Sequence, residues 1–390
     1  MGFFSGRLTL ARYRINGTAP RLFDDDHLAQ LAANAAGRQR HPSADGVEVG
    51  WTAGAHILDT RFELAKNVIN DMLFFALRID TQKLPGDLLK AYYAVDLQAL
   101  SAGNPSGRPS ARQKREARES ARERLEQEAK DGRFLKRKAT EVVWDRLANE
   151  VLFGTTALTN IDRLLILFRN TFGPSFEMVT AGARAHQLAE LHSRTRAVDD
   201  ARLSTFVPAL TPNEPAWIVD EASRDFLGNE FLLWLWYQLE CETDTIKLAD
   251  DSEVAVMIAR TLTLECPRAQ TGYETITSDG PTRLPEARRA IQAGKLPRKA
   301  GLTLVRHDAS YEFTLHAETL GIGSARLPAP EEAEEDRARL EGRANQIRHL
   351  IETVDLLYDA FGQRRFSADW PKELAKIQKW LQREELRKTG

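Results

Sequence analysis

The chain has 390 residues, 42% hydrophobic and 28% charged, with a formal net charge of −2. Its length points to two or three subdomains and allows a sizeable core, while the near-neutral balance means that any affinity for a polyanion must sit in a local patch. Two cysteines, Cys241 and Cys266, are too few for a disulfide framework or a cysteine zinc site, so a reducing, cytoplasmic setting is expected.

In chain order, the first fourteen residues break Phe3, Phe4, Leu8 and Leu10 with Arg7 and Arg12, which does not resemble a signal peptide. Residues 7–15 read as a strand. Three aspartates at 24–26 start a helix reaching about residue 36, since acidic side chains suit a helix N-terminus. Residues 47–58 look extended, with Gly50 and Gly54 at bends or bulges. A helix over 62–73 and a strand over 74–79 follow, and Pro85 opens a helix to residue 100.

The composition then changes. Residues 101–110 are loop-like, and residues 108–138 carry twelve Lys/Arg against six Asp/Glu. Ser110 can cap a helix ending near Asp131-Gly132, whose apolar stripe is Ala117, Ala121, Leu125 and Ala129. Residues 142–144 and 151–153 are extended, 159–172 helical and 176–179 extended. Residues 184–202 form a polar helix and 208–215 a linker. Residues 222–239 are apolar nearly all round, so they form a core helix. Their greasiest run, 231–237, is seven residues against roughly 20 for a membrane span.

Residues 254–264 read as a strand, 283–293 as a helix, and 302–305 with 311–315 as a hairpin. A long helix over 331–361 and a last helix over 369–388 complete an α+β chain. It divides into segments 1–100, 101–140, 141–207, 208–330 and 331–390.

Catalytic signatures are missing. There is no phosphate-binding G-x-x-x-x-G-K-[ST], no G-x-S-x-G and no H-E-x-x-H. His186 and His192 are six apart and face differently on a helix, so with Glu190 they make no metal site. Glu128-x-Lys130 lacks the partner aspartate that a Mg²⁺-dependent nuclease needs. No catalytic residue, metal or cofactor is expected.

Positive charge beside an aromatic does stand out. Arg133, Phe134, Lys136, Arg137 and Lys138 fall within a few residues, and Arg115, Arg118 and Arg122 share a helix face with Arg112 and Lys114 nearby. Residues 283–306 hold seven Lys/Arg and one Glu, including Arg298 and Lys299, as a second basic patch. Arg–Glu pairing at i, i+4 (Arg112 with Glu116, Arg115 with Glu119) is the competing, purely solvated reading of the helix.

The order of these features resembles the RdgC family of recombination-associated DNA-binding proteins. The matching words are Gly50-Trp51 with Gly54, the strand and turn at 75–85, the basic helix, Arg133-Phe134 and Val143-Trp144-Asp145. The helix over 157–173 and the Gly294-Lys295 turn before Leu302-Thr303-Leu304 complete the set. The resemblance implies a horseshoe-like multi-subdomain subunit with mixed or antiparallel sheets, a basic helical finger and long C-terminal helices. Two subunits would form a ring dimer around DNA, duplex favoured and single strands possible, at the nucleoid, antagonising RecA-type recombination without any enzyme activity. Its lining would come from Arg112, Lys114, Arg115, Arg118, Arg122, Arg133, Lys136, Arg137 and Lys138, with Phe134 at the finger tip. The rival readings are a DNA-end-processing nuclease and a protein-interaction module presenting Trp234, Trp236 and the long helix.

Overall fold

The computed structural model describes residues 2–38, 46–102, 104, 108–208, 215–218, 220–267, 272–328 and 336–382. The chain begins with β1 (Leu8–Asn16), α1 (Asp25–Ala33), β2 (Val47–Thr52), α2 (Leu64–Asn67), β3 (Val68–Ile69) and β4 (Met72–Gln82). Next come helices α3 (Gly86–Ser101) and α4 (Ala111–Ala129), then β5 (Leu135–Asp145), β6 (Glu150–Phe153), α5 (Ile161–Phe172) and β7 (Ser175–Met178). The middle of the chain forms α6 (Ala181–Leu191), α7 (Thr195–Asp199), α8 (Phe226–Cys241), β8 (Thr245–Lys247), β9 (Glu253–Glu265) and β10 (Tyr273–Ser278). The remainder is α9 (Pro285–Gln292), β11 (Leu296–Arg306), β12 (Ala309–His316), β13 (Ile322–Arg326), α10 (Asp336–Arg365) and α11 (Trp370–Gln382). The α+β reading therefore holds. The linker at 208–215 and the ends of the two C-terminal helices fall largely outside the described residues.

One antiparallel sheet runs β10-β9-β11-β12-β13-β1-β6-β5-β4-β2, with β3 on β4, β7 on β1 and β8 on β9. Strand β1 is its pivot. Leu8 and Leu10 pair with β13, whereas Ala11 to Arg14 pair with β6. Segments 1–100, 141–207 and 208–330 thus share a single sheet.

Side chains alternate across a strand, so β1 feeds two cores. Leu8 and Leu10 join the larger core with α6, α8, α10 and α11. Ala11, Tyr13 and Ile15 join the smaller one, roofed by α1 and α5. Helix α8 is buried on every side from Phe226 to Tyr237, as its all-round apolarity requires. There Gly228 lies against the carbonyl of Ala317, where a Cβ would come within 1.8 Å of the oxygen. Trp234 and Trp236 donate to Glu373 and Glu240 from inside this packing, so they offer no surface to a partner protein.

Two expected features take another form. The helix over 62–73 shrinks to α2, because Asn70 and Asp71 adopt positive φ and turn β3 tightly into β4. Gly50 is neither bend nor bulge. It sits inside β2 against the backbone of Ala36, 2.4 Å from where a Cβ would lie, so only glycine allows that approach.

Candidate nucleic-acid interface

Strands β4 and β5 are neighbours in the sheet, paired from Met72↔Asp145 to Gln82↔Leu135. Helices α3 and α4 are inserted between them and pack chiefly on each other. The result is a helical arm hinged on one end of the sheet. At 1.5 Å per residue the 19 residues of α4 make it about 28 Å long.

The sequence builds this arm in three ways. Ser110 and Gln113 form a reciprocal cap at the start of α4, with Gln113 N donating to Ser110 Oγ at 3.2 Å and Ser110 N to Gln113 Oε1 at 2.9 Å. The stripe Ala117, Ala121, Leu125 and Ala129 is fully buried, although it belongs to neither main core. Small side chains there let α3 approach closely. Polar contacts then lock the pair: Tyr92 Oη donates to Glu128 Oε1 at 2.6 Å, and Arg124 lies 5.0 Å over the Tyr92 ring while pairing with Asp96 at 3.3 Å. The bond to Glu128 raises the Tyr92 pKa. At the root, Gln82 Nε2 donates to Ala129 O at 2.6 Å and Lys83 N to Phe134 O at 3.3 Å. Gly132, at φ +74°, turns the chain into β5.

The expected site residues on α4 are all exposed: Arg112, Lys114, Arg115, Arg118 and Arg122. Among the described residues, Arg112, Lys114 and Arg115 have no carboxylate within ion-pair distance, so the i, i+4 pairs with Glu116 and Glu119 do not form. Arg122 does pair, with Glu126 at 2.7 Å, and Arg118 sits 6.0 Å over Tyr93.

The cluster at 133–138 is not a finger tip. It is the root of the arm, running into β5. Phe134 is half-buried and its carbonyl is bonded, so it is not the exposed aromatic expected. Strand alternation also divides the cations. Arg137 lies opposite Asp80, with Nε 3.7 Å from that carboxylate, which Arg78 also binds at 2.8 Å. Lys136 and Lys138 point to the other face, beside Thr81 and Ile79, and have no ion-pair partner among the described residues. Arg133 reaches only Asp131, at 3.9 Å. Exposed Lys83 and Lys130 flank the same root. The site read from the sequence included neither, although Lys130 belongs to the basic run 108–138.

The second basic patch is largely structural, although exposed Arg283, Arg289 and Lys299 have no ion-pair partner among the described residues. Arg298 pairs with Glu265 and Glu318, each at 2.6 Å, and lies 4.2 Å over the Trp217 ring. Arg288 pairs with Glu240, Lys295 with Glu274, and Arg306 with Asp250 and Glu352. Lys299 is exposed opposite His316, yet β11 is five strand positions from β5, roughly 24 Å at about 4.8 Å per strand. These residues are not brought together with the arm. The carboxylates sit on other strands and helices, out of register with the basic run, which is why the local count misled.

Elsewhere, a cleft of about 770 Å³ opens beside α6 and α10. Its charged floor is internally paired: Arg12 with Glu150 and Asp355, Arg184 with Asp355, Arg348 with Asp145. His192 lies 3.3 Å from Asp359, and His186 is 3.7 Å from Asp199. Among the described residues no group of three or more His, Cys, Asp or Glu side chains could hold a metal ion, and no helix is long and apolar enough to cross a membrane. Neither a protein-family model nor a curated protein matches the chain.

Proposed function

We propose that the protein binds DNA through the phosphate backbone, with little sequence preference, using the cations of the α3–α4 arm and its root. The observation that carries this reading is the set of exposed cations Arg112, Lys114, Arg115, Lys136 and Lys138, on the arm and at its root, with no ion-pair partner among the described residues, in a chain whose other basic run has most of its cations held by carboxylates. Cations held without carboxylate partners release counterions when phosphates replace them, which favours a polyanion of any sequence. Phosphate contact requires no catalytic group, and the reading is non-enzymatic.

The RdgC-like part of the reading rests on the order of words in the sequence: Gly50-Trp51, the strand and turn at 75–85, the basic helix, Arg133-Phe134 and Val143-Trp144-Asp145. Pairing of two subunits into a ring around the duplex, a nucleoid location and antagonism of a RecA-type recombinase enter the proposal through that resemblance alone.

The test is fluorescence anisotropy with two 30-base-pair duplexes of unrelated sequence. Lys136→Ala with Lys138→Ala should weaken both by the same factor, about tenfold at moderate salt. Weakening confined to one duplex would mean base readout and would reject the proposal.

A further inference from the structure

The arm is not evenly basic. Along α4 and into β5 its charge reads as two positive clusters separated by a negative belt. The distal cluster holds Arg112, Lys114, Arg115 and Arg118 against Glu116 alone. The belt holds Glu119, Glu123, Glu126 and Glu128, while its two arginines are occupied, Arg122 by Glu126 and Arg124 by Asp96. The root cluster holds Lys130, Arg133, Lys136 and Lys138, with Asp131 beside Arg133 and with Arg137 held on the other face by Asp80. Because α3 runs outward and α4 returns, the distal cluster lies at the free end of the arm and the root cluster lies against the sheet.

From this arrangement we infer that the arm grips a duplex at two separate places, straddling about eight base pairs, and does not touch the phosphates between. The inference rests on the DNA-binding reading and adds its geometry. From Lys114 to Lys130 is sixteen residues, roughly 24 Å of helix, and the root cations extend the span to about 25–30 Å. One DNA strand carries a phosphate about every 3.4 Å, so the two clusters are seven to nine phosphates apart. The glutamates between them repel the backbone at short range, and a stiff duplex cannot bow toward the belt or fold back to satisfy both ends within a shorter length. Glu119 and Glu123 have no ion-pair partner among the described residues, so their charge acts on whatever lies alongside.

The experiment measures binding of the full chain to labelled duplexes of 6, 8, 10, 12 and 16 base pairs at several salt concentrations. Duplexes too short for both clusters should release counterions for three or four phosphates. The salt slope should roughly double between 8 and 10 base pairs and then stay level. Arg112→Ala with Lys114→Ala and Arg115→Ala, all exposed changes, should abolish the step and leave the short-duplex slope. Glu119→Gln with Glu123→Gln should tighten binding about threefold and soften the step. A slope rising smoothly with length, a step that survives the distal triple variant, or no response to the glutamine variant would overturn the two-grip geometry while DNA binding itself stands. No binding to any duplex would instead remove the reading beneath it.

Discussion

Arg12 on the first strand donates to both oxygens of Asp355 on the long C-terminal helix, Nη1 at 2.6 Å and Nη2 at 2.9 Å, across 343 residues of sequence. The same guanidinium meets Glu150 through Nε and Nη2, each at 2.9 Å. Burial opposes the charge on Arg12, but the two carboxylates more than offset it and hold the group protonated. The contact follows from strand alternation: Arg12 is in phase with Leu8 and Leu10, on the face that α10 covers.

Removing one member of such a buried set strands the others. Arg12→Ala should lower stability by about 3–5 kcal/mol, read from urea denaturation, because Glu150 stays buried without its cation and Asp355 keeps only Arg184. Replacing all three residues and Arg184 by apolar side chains of similar volume should cost much less, since no charge then loses its partner. Equal losses in the single and quadruple variants would show that packing matters here and charge does not.

The arm has its own small core, so it should come apart by itself. Leu125→Asp places a charge in the stripe that holds α4 to α3. Hydrogen exchange should show lost protection over α3 and α4, with the urea midpoint of the sheet unchanged and duplex binding reduced at least tenfold. Loss of protection throughout the sheet would mean that the arm is part of the main cooperative unit.

Position within β5 separates cations that the sequence groups together. Arg137→Ala should weaken duplex binding less than the Lys136/Lys138 pair, and should lower stability by up to about 1 kcal/mol, since buried Asp80 would keep only Arg78. Anisotropy and urea titration together check this. The reverse ranking would place Arg137 on DNA and the lysines in the fold.

Acid should loosen the β11–β12 hairpin. His316 is opposite Lys299, and burial first, then Lys299 and Arg298, lowers its pKa from 6.5 to about 4. Between those values the unfolded chain takes up a proton that the folded chain refuses, so stability is full above pH 6.5 and falls as pH drops toward 4. The limit is about 3 kcal/mol, from 1.36 kcal/mol per unit. As pH falls from 7 to 4.5, the urea midpoint of the native chain should therefore drop relative to that of His316→Gln. Parallel pH profiles would contradict the assignment.

Periodicity and turn chemistry explain what the sequence disclosed. The Ser110 cap, the four-residue spacing from Ala117 to Ala129, and the uniform apolarity of α8 each act locally, so each was readable. Strands β8, β10 and β13 were not foreseen. Tyr273–Ser278 is polar and lies at a sheet edge, and Ile322–Arg326 is short, so neither carries a clean apolar alternation. The site was half legible for a related reason. Charge density along the chain located the arm, but the fate of Arg298 and Arg306 depended on Glu265, Glu318, Asp250 and Glu352 arriving from other elements. Likewise, Lys136, Arg137 and Lys138 looked like one cluster until pairing with β4 put them on opposite faces.

The most direct measurement is the salt dependence of binding to a 30-base-pair duplex by the native chain. The account predicts that log affinity falls linearly with log salt at a slope between about −5 and −7, near −0.9 for each phosphate met by the two cation clusters, with equal slopes for unrelated sequences. A flat response, or a slope unchanged when the distal and root cations are both replaced by alanine, would contradict it.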